Sequence, residues 1–119
     1  LVERSRTLGE QAMARFRELA GRYELIGDVR GRGLSIGVDL VTSRATRERA
    51  YKEAAKVCYR AWEKGLLLSF FSNSVLRIQP PLVLTDAELE RGLNIIEEAL
   101  ADVTAGRVPD EVLETVKGW

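Results

Sequence analysis

Histidine is absent from this 119-residue chain, and cysteine occurs once, as Cys58. Without histidine the chain cannot form a Ser-His or Cys-His nucleophile, nor a metal site with histidine ligands. Cys58 has no partner for an internal disulfide, which is typical of the reducing cytoplasm. It also falls on the apolar side of a predicted helix, where we expect a buried, inert thiol. The sequence therefore predicts a cytoplasmic protein with no metal site.

Long hydrophobic runs and an excess of charge are also missing. No apolar run approaches the ~20 residues of a membrane span, and residues 1–23 are too charged for a signal peptide. The formal net charge is zero, which argues against nucleic acid as the main partner. Residues 1–84 carry 15 basic and 9 acidic side chains, whereas residues 85–119 carry 3 and 9. We expect these two parts to form solvated faces that attract each other.

The length suits one domain with its own core. Apolar spacing predicts a helix over residues 3–22, a second that starts at cap candidates 43–46 and ends at Gly65, and a third that starts at the capping box Thr85-x-x-Glu88 and ends at Gly106. Because the chain starts with Leu inside a helical pattern, we expect the beginning of the protein to be missing.

Four extended segments lie between these helices: residues 26–29, the alternating stretch 34–40, and a hairpin of 66–71 and 75–79. Gly31 and Gly33 permit a turn or a bulge between the first two. The predicted fold class is α+β, a small, mainly antiparallel sheet of three to four strands with helices packed on one face. The predicted domain covers residues 1–106, and 107–119 form a tail that is a short helix or loose.

Arg77 is the candidate functional residue, because it lies inside a short apolar strand that two prolines end. Leu76 and Ile78 should face the core, so the pleat turns Arg77 to the other face. A guanidinium there is costly unless it meets an anion, and it binds a carboxylate through two parallel hydrogen bonds. The alternatives are an exposed arginine on an edge strand, or one paired with a local acid such as Asp39.

Other motifs are weaker. The glycine-rich stretch 30–37 resembles a phosphate loop, but its glycines run into a strand and not a helix, so we interpret it as a turn. Arg30 and Arg32 could pair with acids of a neighbouring domain. The four lysines lie on predicted helix faces or in the tail, and none has the apolar context that favours Schiff-base chemistry.

Three segments, in this order, resemble the C-terminal small domain of class III (fold type I) pyridoxal-phosphate aminotransferases. They are residues 26–40, with Arg30-Gly31-Arg32-Gly33-Leu34, residues 63–68 around Gly65, and residues 75–82 followed by 85–88. Within this family, the segments resemble in particular 4-aminobutyrate, acetylornithine and ornithine aminotransferases and dialkylglycine decarboxylase. The short Ser72-Asn73-Ser74 departs from the family, which often has a glycine-containing loop and Asn there.

The resemblance implies a homodimeric parent enzyme that holds pyridoxal phosphate on a lysine of a large domain outside this chain. Arg77 matches the arginine that binds the carboxylate of the amino-acid or keto-acid substrate. The resemblance places no catalytic, cofactor-binding or metal-binding residue in this chain, so we expect the chain alone to be inactive. The alternative is a free-standing α+β module that binds a small carboxylate or a protein partner through the Arg77 face.

Overall fold

The computed structural model describes residues 2–33, 35–71, 74–78 and 85–116. Its helices are α1 (Val2–Arg22), α2 (Tyr51–Glu63), α3 (Asp86–Thr104) and α4 (Leu113–Val116), the last preceded by a 3-10 turn at Asp110–Val112. Its strands are β1 (Ile26–Arg32), β2 (Ser35–Ser43), β3 (Glu48–Arg49), β4 (Ser69–Phe71) and β5 (Val75–Ile78). No helix in these ranges is long and apolar enough to cross a bilayer.

The strands pair in the order β1-β2-β5-β4, and each neighbouring pair is antiparallel. The two-residue β3 pairs with the end of β2. The predicted α+β class is therefore confirmed. Strand β5, which carries Arg77, lies between β2 and β4, so Arg77 is not on an edge strand.

One face of the sheet is covered by helices. Alternate residues of β2 and β5 on this face are buried, and they form one cluster with the apolar faces of α1, α2 and α3. The strand residues of the cluster include Ile36, Val38, Leu40, Leu76 and Ile78. Burying a side chain of this size contributes about 1.5–3 kcal/mol, so this face contributes strongly to stability.

The opposite face of the sheet, here called the open face, is small and polar. On β2 it presents Ser35, Gly37 and Asp39, which are exposed or half-buried, and on β5 it presents the exposed Arg77. Val75 belongs to the same face by the pleat but is only 7% exposed. The alternation predicted for both strands is confirmed, while its outer members Leu34 and Gln79 lie outside the described residues.

The helix ends follow their sequence signals. The Thr85 hydroxyl accepts from the backbone N–H of Glu88 at 3.1 Å, and the Glu88 carboxylate accepts from the backbone N–H of Thr85 at 3.0 Å. After α2, Gly65 has a φ of +97°, and the N–H of Leu66 bonds back to the carbonyl of Ala61 at 2.8 Å. The predicted capping box and the glycine stop of α2 are both confirmed.

The predicted start of the second helix is wrong. Helix α2 begins at Tyr51, its N-cap is Ala50, and no side chain caps it. Of the cap candidates, Ser43 ends β2 and residues 44–46 lie in the turn that follows. Arg44 from this turn donates to the carbonyls of Ala20, Tyr23 and Ile26. The turn therefore satisfies carbonyls at and beyond the end of α1, a long-range role that local sequence signals do not reveal.

Two strand boundaries also differ from expectation. Strand β4 covers only 69–71, because the N–H of Leu66 is already bonded to α2 and pairing begins at Ser69 opposite Arg77. Strand β1 continues to Arg32, so Gly31 lies within it, opposite Ile36. The register of the β1–β2 pair is irregular at Ile26–Asp28. The turn after β1 contains Gly33, whose φ is +57°.

The charge asymmetry brings α1 and α3 together. Arg15 of α1 pairs with Glu90 and with Glu97 of α3, the latter at 3.1 Å, and Arg22 meets Glu97 at 3.0 Å. The predicted attraction between the basic and acidic parts is confirmed at this seam. Of the tail, residues 110–116 are helical, and Val108, Val112 and Val116 are buried; the domain boundary after 106 stays a prediction.

Candidate functional site

Arg77 lies in the interior of the open face. Its neighbours Leu76 and Ile78 point into the core, at 0% and 7% exposure, whereas Arg77 itself is exposed. The two buried neighbours fix the backbone of the strand, and with it the point from which the Arg77 side chain extends. The sequence prediction that the pleat turns Arg77 away from the helices is confirmed.

The two residues that pair with Arg77 across the sheet are small. Gly37 is its partner on β2, and Ser69 is its partner on β4. Because paired residues of antiparallel strands share a face, there is space on both sides of the arginine. An open depression of about 250 Å³ lies on the β4 side, lined by Leu67, Leu68, Ser69 and Arg77. Local sequence patterns do not predict this depression, because it depends on strand register.

A polar network lies next to Arg77 on the same face. The hydroxyl of Ser74, a fully buried residue, donates to Asp39 at 3.3 Å and accepts from Arg49 at 3.4 Å, and Arg49 lies 3.9 Å from Asp39. The Ser74 carbonyl also accepts from the N–H of Leu40 at 2.9 Å. The local acid considered for Arg77 is therefore engaged by Arg49 and Ser74. Sequence reasoning missed the network because β3 was not expected.

The glycine-rich stretch does not form a phosphate loop in the described residues. Residues 26–32 are a strand that pairs with the next strand, so no helix N-terminus follows the glycines. Arg30 is paired within its own strand, its Nε lying 3.2 Å from the Asp28 carboxylate. The interpretation as a turn that leads into a strand is confirmed, and the pairing of Arg30 and Arg32 with a neighbouring domain stays a prediction.

The described lysines do not fit a cofactor-binding lysine. Lys56 is paired with Asp110 at 2.5 Å, Lys64 is paired with Glu98 at 3.1 Å, and Lys52 is exposed. A Schiff-base lysine typically lies in an apolar pocket without an ionic partner, unlike Lys56 and Lys64. Lys117 lies outside the described residues. None of the described lysines is therefore a candidate to hold pyridoxal phosphate.

The described residues also give no support for thiol or metal chemistry. Burial raises the pKa of Cys58 to about 12, so the thiol is uncharged at neutral pH and unreactive. This agrees with the expected inert thiol. Within the described ranges, no group of three or more histidine, cysteine, aspartate or glutamate side chains could hold a metal ion.

Comparison with known proteins identifies the family. The family model described as "Aminotransferase class-III" matches residues 1–100. The chain is 55% identical, over all of its 119 residues, to a leucine/methionine racemase from Thermococcus litoralis. It is 41% identical over 105 residues, 87% of the chain, to a 5-aminovalerate aminotransferase from Pseudomonas putida. The chain belongs to the class III aminotransferase family, whose members use pyridoxal phosphate.

A solved amine transaminase structure contains the same fold. An amine transaminase from an uncultivated Pseudomonas species, in its pyridoxal-phosphate-bound form, superposes with a TM-score of 0.77 at 29% identity. The match covers 84% of this chain and 23% of that one. The chain likewise spans 27% of the racemase and 24% of the 5-aminovalerate aminotransferase. It thus corresponds to about a quarter of these relatives.

Proposed function

We propose that this chain is the C-terminal small domain of a pyridoxal-phosphate enzyme that acts on amino acids, and that Arg77 binds the substrate carboxylate. The observation that supports this best is the position of Arg77, an exposed guanidinium on an interior strand beside an open depression. A carboxylate that enters the depression can accept two parallel hydrogen bonds from this guanidinium.

Binding at Arg77 would orient the substrate. Holding the carboxylate leaves the amine and the hydrogen on the α-carbon directed toward the rest of the enzyme, which lowers the entropic part of the barrier. When bound in the whole enzyme, pyridoxal phosphate supplies an electron sink for the bonds at that carbon. The part played by this chain is to bind and orient, while proton transfer belongs to residues outside it.

We favour racemisation or epimerisation of an α-amino acid as the reaction of the whole protein. The support is the 55% identity to a leucine/methionine racemase along the whole chain. The second candidate is amino transfer from an ω-amino acid such as 4-aminobutyrate, as the sequence resemblance suggested. The 41% identity to a 5-aminovalerate aminotransferase supports it. The two reactions give different products, because racemisation leaves the amino group on the product whereas amino transfer converts the donor to an oxo acid.

The remaining expectations are part of the same proposal. The open face would lie against the large domain of the enzyme, the enzyme would be a homodimer, and it would act in the cytoplasm. The chain by itself would have no activity, because the lysine that holds the cofactor lies elsewhere. Turnover by the purified 119-residue chain with added pyridoxal phosphate would contradict this.

The full-length enzyme, supplied with L-leucine in one assay and with 4-aminobutyrate and an oxo-acid acceptor in another, separates the candidate reactions. Chiral chromatography would show D-leucine without oxo acid if the enzyme is a racemase. Formation of 4-oxobutanoate that depends on the acceptor would indicate amino transfer from an ω-amino acid. The free-standing module makes a different prediction: the 119-residue chain alone would bind a keto acid in calorimetry, and Arg77→Ala would abolish the heat.

A further inference from the structure

We propose that Leu67 and Ser69 complete the carboxylate site and make it selective for amino acids with an aliphatic side chain. Ser69 would donate a hydrogen bond to the same carboxylate that Arg77 binds, and Leu67 would contact the substrate's side chain. This inference rests on the proposed function, since it assumes that Arg77 binds the substrate.

Ser69 is positioned by the register of the hairpin. It is the direct partner of Arg77 in the β4–β5 ladder, so the two side chains leave the sheet on the same face. Both line the open depression. A carboxylate that accepts two hydrogen bonds from a guanidinium still has lone pairs for another donor. The hydroxyl of Ser69 is therefore in place to add one bond to any carboxylate bound at Arg77.

Leu67 lines the same depression and is unusually exposed. It is 80% exposed, compared with 49% for Trp62 and 43% for Tyr51, the other exposed large hydrophobic residues among those described. The backbone on both sides of it is held, because the N–H of Leu66 is bonded to Ala61 at 2.8 Å and the Leu68 side chain is buried at 7% exposure. The base of the Leu67 side chain is therefore fixed, and contact with a ligand would remove its apolar surface from water.

The arrangement of these groups defines a ligand. A guanidinium and a hydroxyl from paired residues line the depression, together with the isobutyl group of Leu67. A ligand with a carboxylate at one end and an aliphatic body satisfies both, whereas a second charge beside Leu67 would lose hydration without gaining a partner. The volume of about 250 Å³ suits a small amino acid. The similarity to a leucine/methionine racemase agrees with this class.

The test uses ligands that cannot react. Isocaproate and propionate are leucine and alanine without the amine, and calorimetry on the full-length enzyme gives a dissociation constant for each. We expect isocaproate to bind about tenfold or more tightly than propionate, because each buried methylene adds roughly fourfold. In Leu67→Ala this preference should fall to about threefold or less. In Ser69→Ala both ligands should weaken by about the same factor, which leaves their ratio unchanged.

Two controls make the result decisive. Trp62→Ala removes an exposed apolar side chain outside the depression and should leave the ratio unchanged. Leu67→Phe, which narrows the depression, should weaken isocaproate more than propionate, and thermal unfolding checks that each variant is folded. If Arg77→Gln abolishes binding of both ligands while Leu67→Ala keeps the wild-type ratio, the selectivity proposal is overturned and the proposed function stands. If Arg77→Gln binds both ligands normally, the proposed function itself fails.

Discussion

The two faces of one sheet differ sharply in burial, and we propose that they divide stability from substrate binding. On strand β5, Leu76 and Arg77 are consecutive, yet one is fully buried under the helices and the other is exposed on the open face. On β2, Val38 is fully buried while the adjacent Gly37 and Asp39 remain partly accessible. The pleat alone produces this division, because each step along a strand changes the face. A short segment can therefore anchor the core and present an exposed guanidinium at the same time.

The sharpest test of this division compares Leu76→Ala with Arg77→Ala in the same strand. Removal of the Leu76 side chain should lower the free energy of unfolding by about 2–5 kcal/mol, because a cavity remains in the core. Arg77→Ala should change it by no more than about 0.5 kcal/mol, as expected for an exposed position. Urea unfolding of the 119-residue chain measures both. Equal losses would mean that the open face contributes to folding as much as the covered one.

Two glycines extend the comparison. A Cβ added at Gly9 of α1 would lie 2.1 Å from the backbone oxygen of Gly33, whereas one added at Gly37 would lie 3.4 Å from a Val75 methyl and 4.0 Å from the backbone oxygen of Arg30. We expect Gly9→Ala to cost about 1–3 kcal/mol, since backbone must move, even though alanine favours the helix. Gly37→Ala should be neutral or stabilise the fold by up to about 1 kcal/mol. Melting temperatures of the two variants test this, and the reverse order would contradict it.

A smaller effect is expected at the start of α3, away from both faces. Thr85→Ala removes the hydroxyl that accepts from the N–H of Glu88 and should cost about 1 kcal/mol. Thr85→Ser keeps this acceptor and serves as the matched control. Chemical denaturation of the two variants gives the difference. A Thr85→Ala variant as stable as Thr85→Ser would show that the cap does not contribute.

The smallest expected effect is a dependence on pH. Hydrogen bonds from the backbone and side chain of Thr85 hold the pKa of Glu88 below its ordinary value of 4.5. Since the folded-state pKa is lowered, the stabilisation is present above the ordinary pKa and is lost as the pH falls through the folded value. Melting temperature should therefore decline below about pH 4.5, and Glu88→Gln should decline less. Identical profiles for both proteins would show that Glu88 does not contribute to the dependence on pH.

Local signals predicted much of this fold, and pairing between distant residues explains the rest. The capping box at Thr85, the glycine stop after α2 and the alternation around Arg77 depend on neighbours in sequence, and all three are confirmed. The predicted start of α2 is wrong, because Arg44 lies in a turn and bonds to the distant carbonyls at the end of α1. The depression beside Arg77 could not be predicted, because it depends on Ser69 pairing with Arg77 across the hairpin.

The central claim is that Arg77 binds the substrate carboxylate, and kinetics of Arg77→Ala in the full-length enzyme test it most directly. We expect kcat/KM for an amino-acid substrate to fall by about 30-fold or more, which corresponds to roughly 2–5 kcal/mol, as for loss of one member of a close charge pair. Arg77→Lys should recover only part of the loss, because the forked geometry is gone. An unchanged kcat/KM in Arg77→Ala would contradict the account.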